Sequence, residues 1–294
     1  MMNEIAPYEA RTPIRRKVLA IRGIDYSICE WGDEDAPLLI YLHGWADTGS
    51  TFQFVIDELK EDWHVIAPDW RGFGRTTHAA EGYWFPDYIA DLHELLEHFS
   101  PDAAVPIIGH SMGGNIASLY AGAMPERINA FVNIEGFGLS DSSPSDAPAR
   151  YRQWLESGRK RPVFTHYSSY TSLAVRVAKR SPSISPAMAE FVAREWGSER
   201  DDGSVHLRAD AAHKLPNPVL YRLAEAEACW RAISAPVLLV HGELSPFAEQ
   251  AGGIAELEFP NSSSIEIAAS GHMLHFEAPQ QLAAAIEAFL RKTL

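Results

Sequence analysis

A chain of 294 residues with 46% hydrophobic content can bury one large core and still carry an inserted subdomain. Its formal charge of −14 opposes phosphate backbones and anionic bilayers, which argues against nucleic acid and charged membrane surfaces as partners. Solubility alone accounts for such an excess.

The opening MMNEIAPYEARTPIRRKV carries charge but lacks the apolar run of a secretory signal. No stretch approaches the roughly 18–20 apolar residues of a membrane span. A cytoplasmic protein is expected. Short alternating runs at 17–21 and 26–30 read as an antiparallel hairpin across Gly23. Continuous apolar runs follow at 38–42, ending in His-Gly, and at 63–67, ending in Pro-Asp. Residues 86–99 then place Leu92, Leu95, Leu96 and Phe99 on one helical face, with Asp91, Glu94 and Glu97 opposite. Further runs at 105–108 and 130–134 flank a helical stretch at 115–123. Strands without alternation suit a parallel sheet covered on both faces, and the strand–helix alternation predicts an open α/β fold.

That alternation breaks over 139–230. Residues 140–148 are a loop by composition. Helices are expected at 150–156, 170–180, 186–196 and 218–228, with a short strand near 205–207. The stretch reads as a helical cap, so the core comprises 1–138 and 231–294. Strands at 237–240 and 264–267 and a helix at 280–290 complete the core. Cys29 and Cys229 have neither metal-ligand spacing nor a disulfide framework and read as two buried thiols.

Open α/β sheets bind ligands beyond the carboxyl ends of their strands. The sharpest motif there is Gly109-His110-Ser111-Met112-Gly113-Gly114, which follows a strand and opens a helix, the setting of a nucleophile elbow. A serine needs a base to become a nucleophile. His272, between the last strand and the last helix, can point its imidazole at the elbow, whereas most other histidines, such as His93 and His98, read as solvated. An oxyanion needs donors, and the backbone N–H groups of Met112 and of Trp45, in the loop after residue 42, are the candidates.

The segments LLIYLHGWADTGSTF, VIAPDWRGFGRT, IIGHSMGGNIA, PVLLVHGE and GHMLHFEAPQQLAAAIEAFL, in this order, make the chain resemble the α/β-hydrolase superfamily over most of 15–136 and 235–292. The resemblance implies a mainly parallel eight-stranded sheet, helices on both faces and an inserted helical cap, with Ser111 and His272 on the family's nucleophile and base. The family's usual acid position falls on Ser245, which carries no carboxylate. Two acids stand near. Glu135, at the end of the strand after the nucleophile helix, is placed as in some haloalkane dehalogenases and related luciferases, although those use an aspartate nucleophile. Glu243 lies two positions before Ser245 and shares its face of an extended chain. Glu135 is the expected acid.

The expected activity is a serine hydrolase cleaving a small apolar or aromatic carboxylic ester, without metal or organic cofactor. C–C bond hydrolases, lactonases, thioesterases and hydroxynitrile lyases use the same triad, and a noncatalytic binder on a hydrolase scaffold is the alternative of another class. Trp154, Phe164, Tyr167, Tyr170, Phe191 and Trp196 are expected to wall the pocket. Arg152, His166, Arg176, His206 and His213 read as solvated, with an acidic substrate group as their other use.

Overall fold

The computed structural model describes residues 6–79, 82–157, 162–247 and 259–294. The first five residues of the N-terminal stretch lie outside them. The strands are β1 (Arg15–Ile21), β2 (Ile24–Trp31), β3 (Leu38–Leu42), β4 (His64–Pro68), β5 (Val105–His110), β6 (Ile128–Ile134), β7 (Gly197–Glu199), β8 (Val205–Leu207), β9 (Val237–Gly242) and β10 (Ser262–Ile267). All but β7 and β8 form one eight-stranded sheet in the order β1-β2-β4-β3-β5-β6-β9-β10. Pairing is antiparallel at β1–β2 and β2–β4 and parallel from β4 onward.

The helices are α1 (Gln53–Ile56), α2 (Phe85–Phe99), α3 (Met112–Ala123), α4 (Ala147–Ser157), α5 (Tyr170–Arg180), α6 (Pro186–Trp196), α7 (Leu223–Ala232), α8 (Leu274–Glu277) and α9 (Pro279–Thr293). One face of the sheet packs on α2, α3 and α7 through Leu92, Leu96, Ile116, Tyr120 and Trp230. The other packs on α1 and α9 through Val55, Leu282, Ile286 and Leu290. Burial on both faces explains the unbroken apolar runs of β3 to β6 and β9. Among the described residues, no helix is long and apolar enough to cross a membrane.

Register decides where chemistry can occur. Leu42 pairs with Gly109, His110 with Ile134, and Ile134 with Val240. The carboxyl ends of β3, β5, β6 and β9 therefore lie level, and the turns following them meet at one edge.

Between β6 and β9 the chain leaves the sheet. There α5 and α6 pack on each other, with Leu173, Val177 and Val192 buried against Phe54 and Phe276 of the sheet-bearing part. The β7–β8 hairpin accompanies them, and its first strand carries no signal in sequence. The helix expected at 218–228 begins instead at Leu223, because the carboxylate of Asp141 accepts from the Leu223 N–H and starts the helix there. Conversely, α4 starts at Ala147, inside the expected loop, because a Ser143–Asp146 capping box opens a 3-10 turn that runs into it. The four-residue helices α1 and α8 are too short to show a hydrophobic period. Of the two thiols expected to be buried, Cys29 is and Cys229 is only partly so.

Candidate active site

Ser111 stands between β5 and α3 with φ +51° and ψ −113°, a backbone conformation that holds its side chain clear of the sheet. Tight packing keeps it there. A Cβ on Gly113 would stand 2.2 Å from the Leu42 carbonyl oxygen, and one on Gly109 would stand 2.6 Å from the Cα of Gly114. The glycines of the motif thus let strand and helix approach closely.

The Ser111 Oγ lies 3.1 Å from His272 Nε2. His272 Nδ1 lies 3.1 Å from Glu135 Oε2. A carboxylate only accepts, so Nδ1 carries the proton and Nε2 is the bare nitrogen that faces the serine hydroxyl. His272 is partly exposed, whereas the Glu135 side chain is fully buried.

Glu135 sits at the end of β6 with φ +59°. The Asn133 side chain bonds both the N–H and the carbonyl of Gly136, fixing the turn that aims Glu135. Its Oε1 accepts from the Gly242 N–H at 2.8 Å, and its Oε2 also accepts from the Ser245 hydroxyl at 2.5 Å. A buried charge is tolerated when donors surround it, and these are three. Ser245, on the family's usual acid position, thus contacts the carboxylate rather than replacing it. Glu243 turns elsewhere, accepting from the Ala269 N–H at 2.8 Å. Removing the Ser245 hydroxyl deletes one charge-assisted bond and leaves the others. Ser245→Ala is expected to lower kcat/KM about tenfold, a loss of about 1.4 kcal/mol, in steady-state ester hydrolysis.

The segments that carry the proposed oxyanion donors lie together: Met112 follows Ser111 in the chain, and Gly44, next to Trp45, packs against Ser111. The first N–H groups of α3, Met112 included, have no carbonyl within the helix to bond. The loop carrying Trp45 lies against the elbow, and a Cβ on Gly44 would come within 3.2 Å of Ser111 Cβ and 2.8 Å of His110 Nδ1. Among the described residues the Trp45 N–H meets no acceptor. His43 holds this loop, with Nδ1 2.7 Å from the Gly44 carbonyl and Nε2 accepting from the Trp70 N–H at 2.8 Å. Gly44→Ala is expected to lower kcat by about 100-fold or more by displacing the loop, with folding checked by circular dichroism.

Sequence reasoning missed three buried groups behind the elbow. His110, His275 and Asp47 are each at most 1% exposed. His110 Nε2 donates to the His272 carbonyl at 2.8 Å, tying the loop of His272 to the strand that leads into Ser111. Burial, with His275 and His272 beside it, pushes the His110 imidazole well below its ordinary range. His275 Nε2 meets Asp47 Oδ2 at 3.0 Å. Burial opposes the charge of Asp47, yet the hydrogen bond and charge of His275 hold its pKa down to about 2. A histidine's burial depends on tertiary partners, so the expectation that most histidines are solvated fails at these positions and at His43.

The expected pocket wall is only partly assembled near the triad. Trp45 packs on Phe164, and the Phe247 ring centroid lies 5.0 Å from that of His272. Phe191 instead packs with Tyr8 and Phe54, and Trp196 donates its indole N–H to Asp47. Among the histidines read as solvated, His213 is stacked between Phe73 and Tyr83, and burial pushes its pKa down to about 4. Arg152 and Arg176 are exposed.

The family model described as the alpha/beta hydrolase fold matches residues 37–279. The chain is 28% identical over 221 residues to a serine hydrolase-like protein of Danio rerio, covering 71% of this chain and 66% of the relative. It therefore spans just under two thirds of that relative's own length. Over 274 residues it is 28% identical to a 3-hydroxybutyrate-oligomer hydrolase of Cupriavidus necator, covering 88% of this chain and 91% of that one. Among solved structures, a hypothetical protein of Pseudomonas aeruginosa superposes with a TM-score of 0.83 at 26% identity, over 94% of this chain and 99% of that chain.

Proposed function

The chain belongs to the α/β-hydrolase fold family, and from that premise we propose that it is a serine hydrolase that cleaves a carboxylic ester with Ser111, His272 and Glu135 as its triad. The observation that carries this reading is the unbroken contact chain from Ser111 Oγ through the His272 ring to Glu135, with 3.1 Å at each step. The relative named serine hydrolase-like protein supports a serine hydrolase, and the one named 3-hydroxybutyrate-oligomer hydrolase supports an ester as substrate, since a hydroxy-acid oligomer is ester-linked.

The chemistry follows from the protons. His272 Nε2 removes the hydroxyl proton as Ser111 Oγ attacks the carbonyl carbon. The Trp45 and Met112 N–H groups stabilise the oxyanion, a contribution worth about 3–4 kcal/mol per donor in comparable sites. His272, now protonated and oriented by the buried Glu135 carboxylate, hands the proton to the leaving alkoxide. An acyl-Ser111 intermediate remains. A water molecule loses a proton to His272 and attacks the acyl carbon; the bond to Oγ then breaks, His272 returns the proton to Ser111 Oγ, and the acid departs. Each step stays on the triad and two backbone amides.

On this reading residues 139–230 form a cap, and the apolar surfaces of Trp45, Phe164 and Phe247 beside the triad favour an apolar or aromatic acyl group or alcohol. The test is labelling by a fluorophosphonate probe, followed by turnover of a p-nitrophenyl ester series. Labelling at Ser111 together with turnover supports the reading. Ligand capture without labelling, unchanged in Ser111→Ala, would replace it with the binding-protein alternative.

A further inference from the structure

Asp47 ends the turn after β3 that carries Gly44 and Trp45, and its buried carboxylate is the meeting point of separate parts of the chain. Oδ1 accepts from the Thr51 hydroxyl at 2.9 Å and from the Trp196 indole N–H at 2.8 Å. Oδ2 lies 3.0 Å from His275 Nε2, which carries a hydrogen because a carboxylate only accepts. We propose that Asp47 is a positioning residue that sets the Trp45 amide for the oxyanion and, through Trp196, makes that setting depend on the seating of α6. The inference rests on the ester-hydrolase reading, because only an oxyanion gives that amide a task.

The turn needs such a tie. Ala46 stands between Trp45 and Asp47 with φ +57°, in the left-handed region that a residue with a Cβ keeps only when its surroundings hold it there. On one side of Trp45, His43 Nδ1 meets the Gly44 carbonyl. On the other, Asp47 is gripped by its three donors. One of them, His275, belongs to α8, which begins two residues after His272. The same carboxylate therefore sets the turn of Trp45 against the segment of His272.

A carboxylate is suited to this task. Burial opposes the charge of Asp47, yet the His275 bond holds its pKa down to about 2, so the group stays ionised at neutral pH. Two oxygens that only accept can collect all three donors, which an amide cannot, since its nitrogen donates. A buried charge with partners adds little stability over an apolar filling, so its use lies in the geometry it imposes. Trp196 is the last residue of α6, and its ring packs on Phe276 of α8 with centroids 5.9 Å apart. The neighbouring Glu195 accepts from Arg16 of β1 at 2.6 Å and from the Ser50 hydroxyl at 2.8 Å. The end of α6 is thereby clamped to the turn of Trp45 and to α8 together, and lifting it would withdraw one of the two donors from Oδ1.

The test uses the full chain. A fluorophosphonate reacted to completion counts the competent sites in each variant, so kcat is taken per counted site and any loss of folded protein drops out. Trp196→Phe keeps an aromatic ring and removes the indole N–H, and should lower kcat about tenfold with KM within about twofold. Asp47→Ala should lower kcat about 100-fold. Adding Trp196→Phe to it should cost nothing further, because that route runs through Asp47. A trifluoromethyl ketone, whose adduct with Ser111 places an oxyanion at the same amides, should bind more weakly by the factor lost in kcat/KM. Val175→Ala, at an exposed position of α5, should change none of these. Unchanged kcat and ketone affinity in Trp196→Phe overturn the proposal, and that variant decides alone if Asp47→Ala does not fold. A loss confined to KM, or losses that multiply in the double variant, also overturn it. Wild-type protein that neither labels nor turns over an ester overturns the hydrolase reading and the proposal with it.

Discussion

Ser111→Ala is expected to lower kcat for a p-nitrophenyl ester by about 10⁶-fold with little change in KM, because substrate binding does not use the hydroxyl's covalent chemistry. His272 would keep its tautomer through Glu135, and the backbone donors would remain. The residual rate should therefore still exceed the uncatalysed one by about 10³-fold. Removing His272 as well should add little, since the two residues act as one unit and their losses do not sum. Steady-state kinetics on the single and double variants measures this. A Ser111→Ala protein that retains a tenth of its activity would mean that another group attacks the ester.

Glu135→Gln is expected to lower kcat by about 10⁴-fold while the fold persists. The size follows from the neighbours of the side chain. The Gly242 N–H can only donate, so the amide oxygen of a glutamine takes the Oε1 place. The amide NH₂ then replaces Oε2 and faces His272 Nδ1, where the wild type presents an acceptor. His272 must move its proton to Nε2, the nitrogen that faces Ser111, and can no longer remove the hydroxyl proton. The Ser245 hydroxyl can rotate and accept from the NH₂, so stability should fall by about 1 kcal/mol or less. Glu243→Gln, in contrast, should leave kcat unchanged, because that side chain serves the Ala269 N–H. Slowing in Glu243→Gln without slowing in Glu135→Gln would reverse the assignment of the acid.

What could be read from the sequence follows from how local each feature is. Strand, turn and helix surround Ser111 within a dozen residues, so the elbow is spelled out in one short segment. His272 is legible for the same reason, lying between a strand and the last helix. The acid is harder. Sequence favours Glu135 over Glu243 only through the resemblance; that β6 and β9 are neighbours and that Gly242 and Ser245 both donate to its carboxylate is visible in the structure alone. The family resemblance narrows the choice, and only the register of the sheet brings those donors to Glu135. Asp47, His110 and His275 were beyond reach, since the three sit far apart in the chain and share no spacing. The start of α7 eluded periodicity because the group that caps it, Asp141, lies 82 residues away.

Because β6 and β9 end side by side, a carboxylate arriving after either strand can meet the same imidazole nitrogen, and in this chain one arrives at the end of β6 while a serine from the turn after β9 bonds it. On the proposed assignment the acid has one address in space and two permissible addresses in sequence. A survey that looks for an aspartate only in the turn after β9 would file such a chain among the pseudoenzymes.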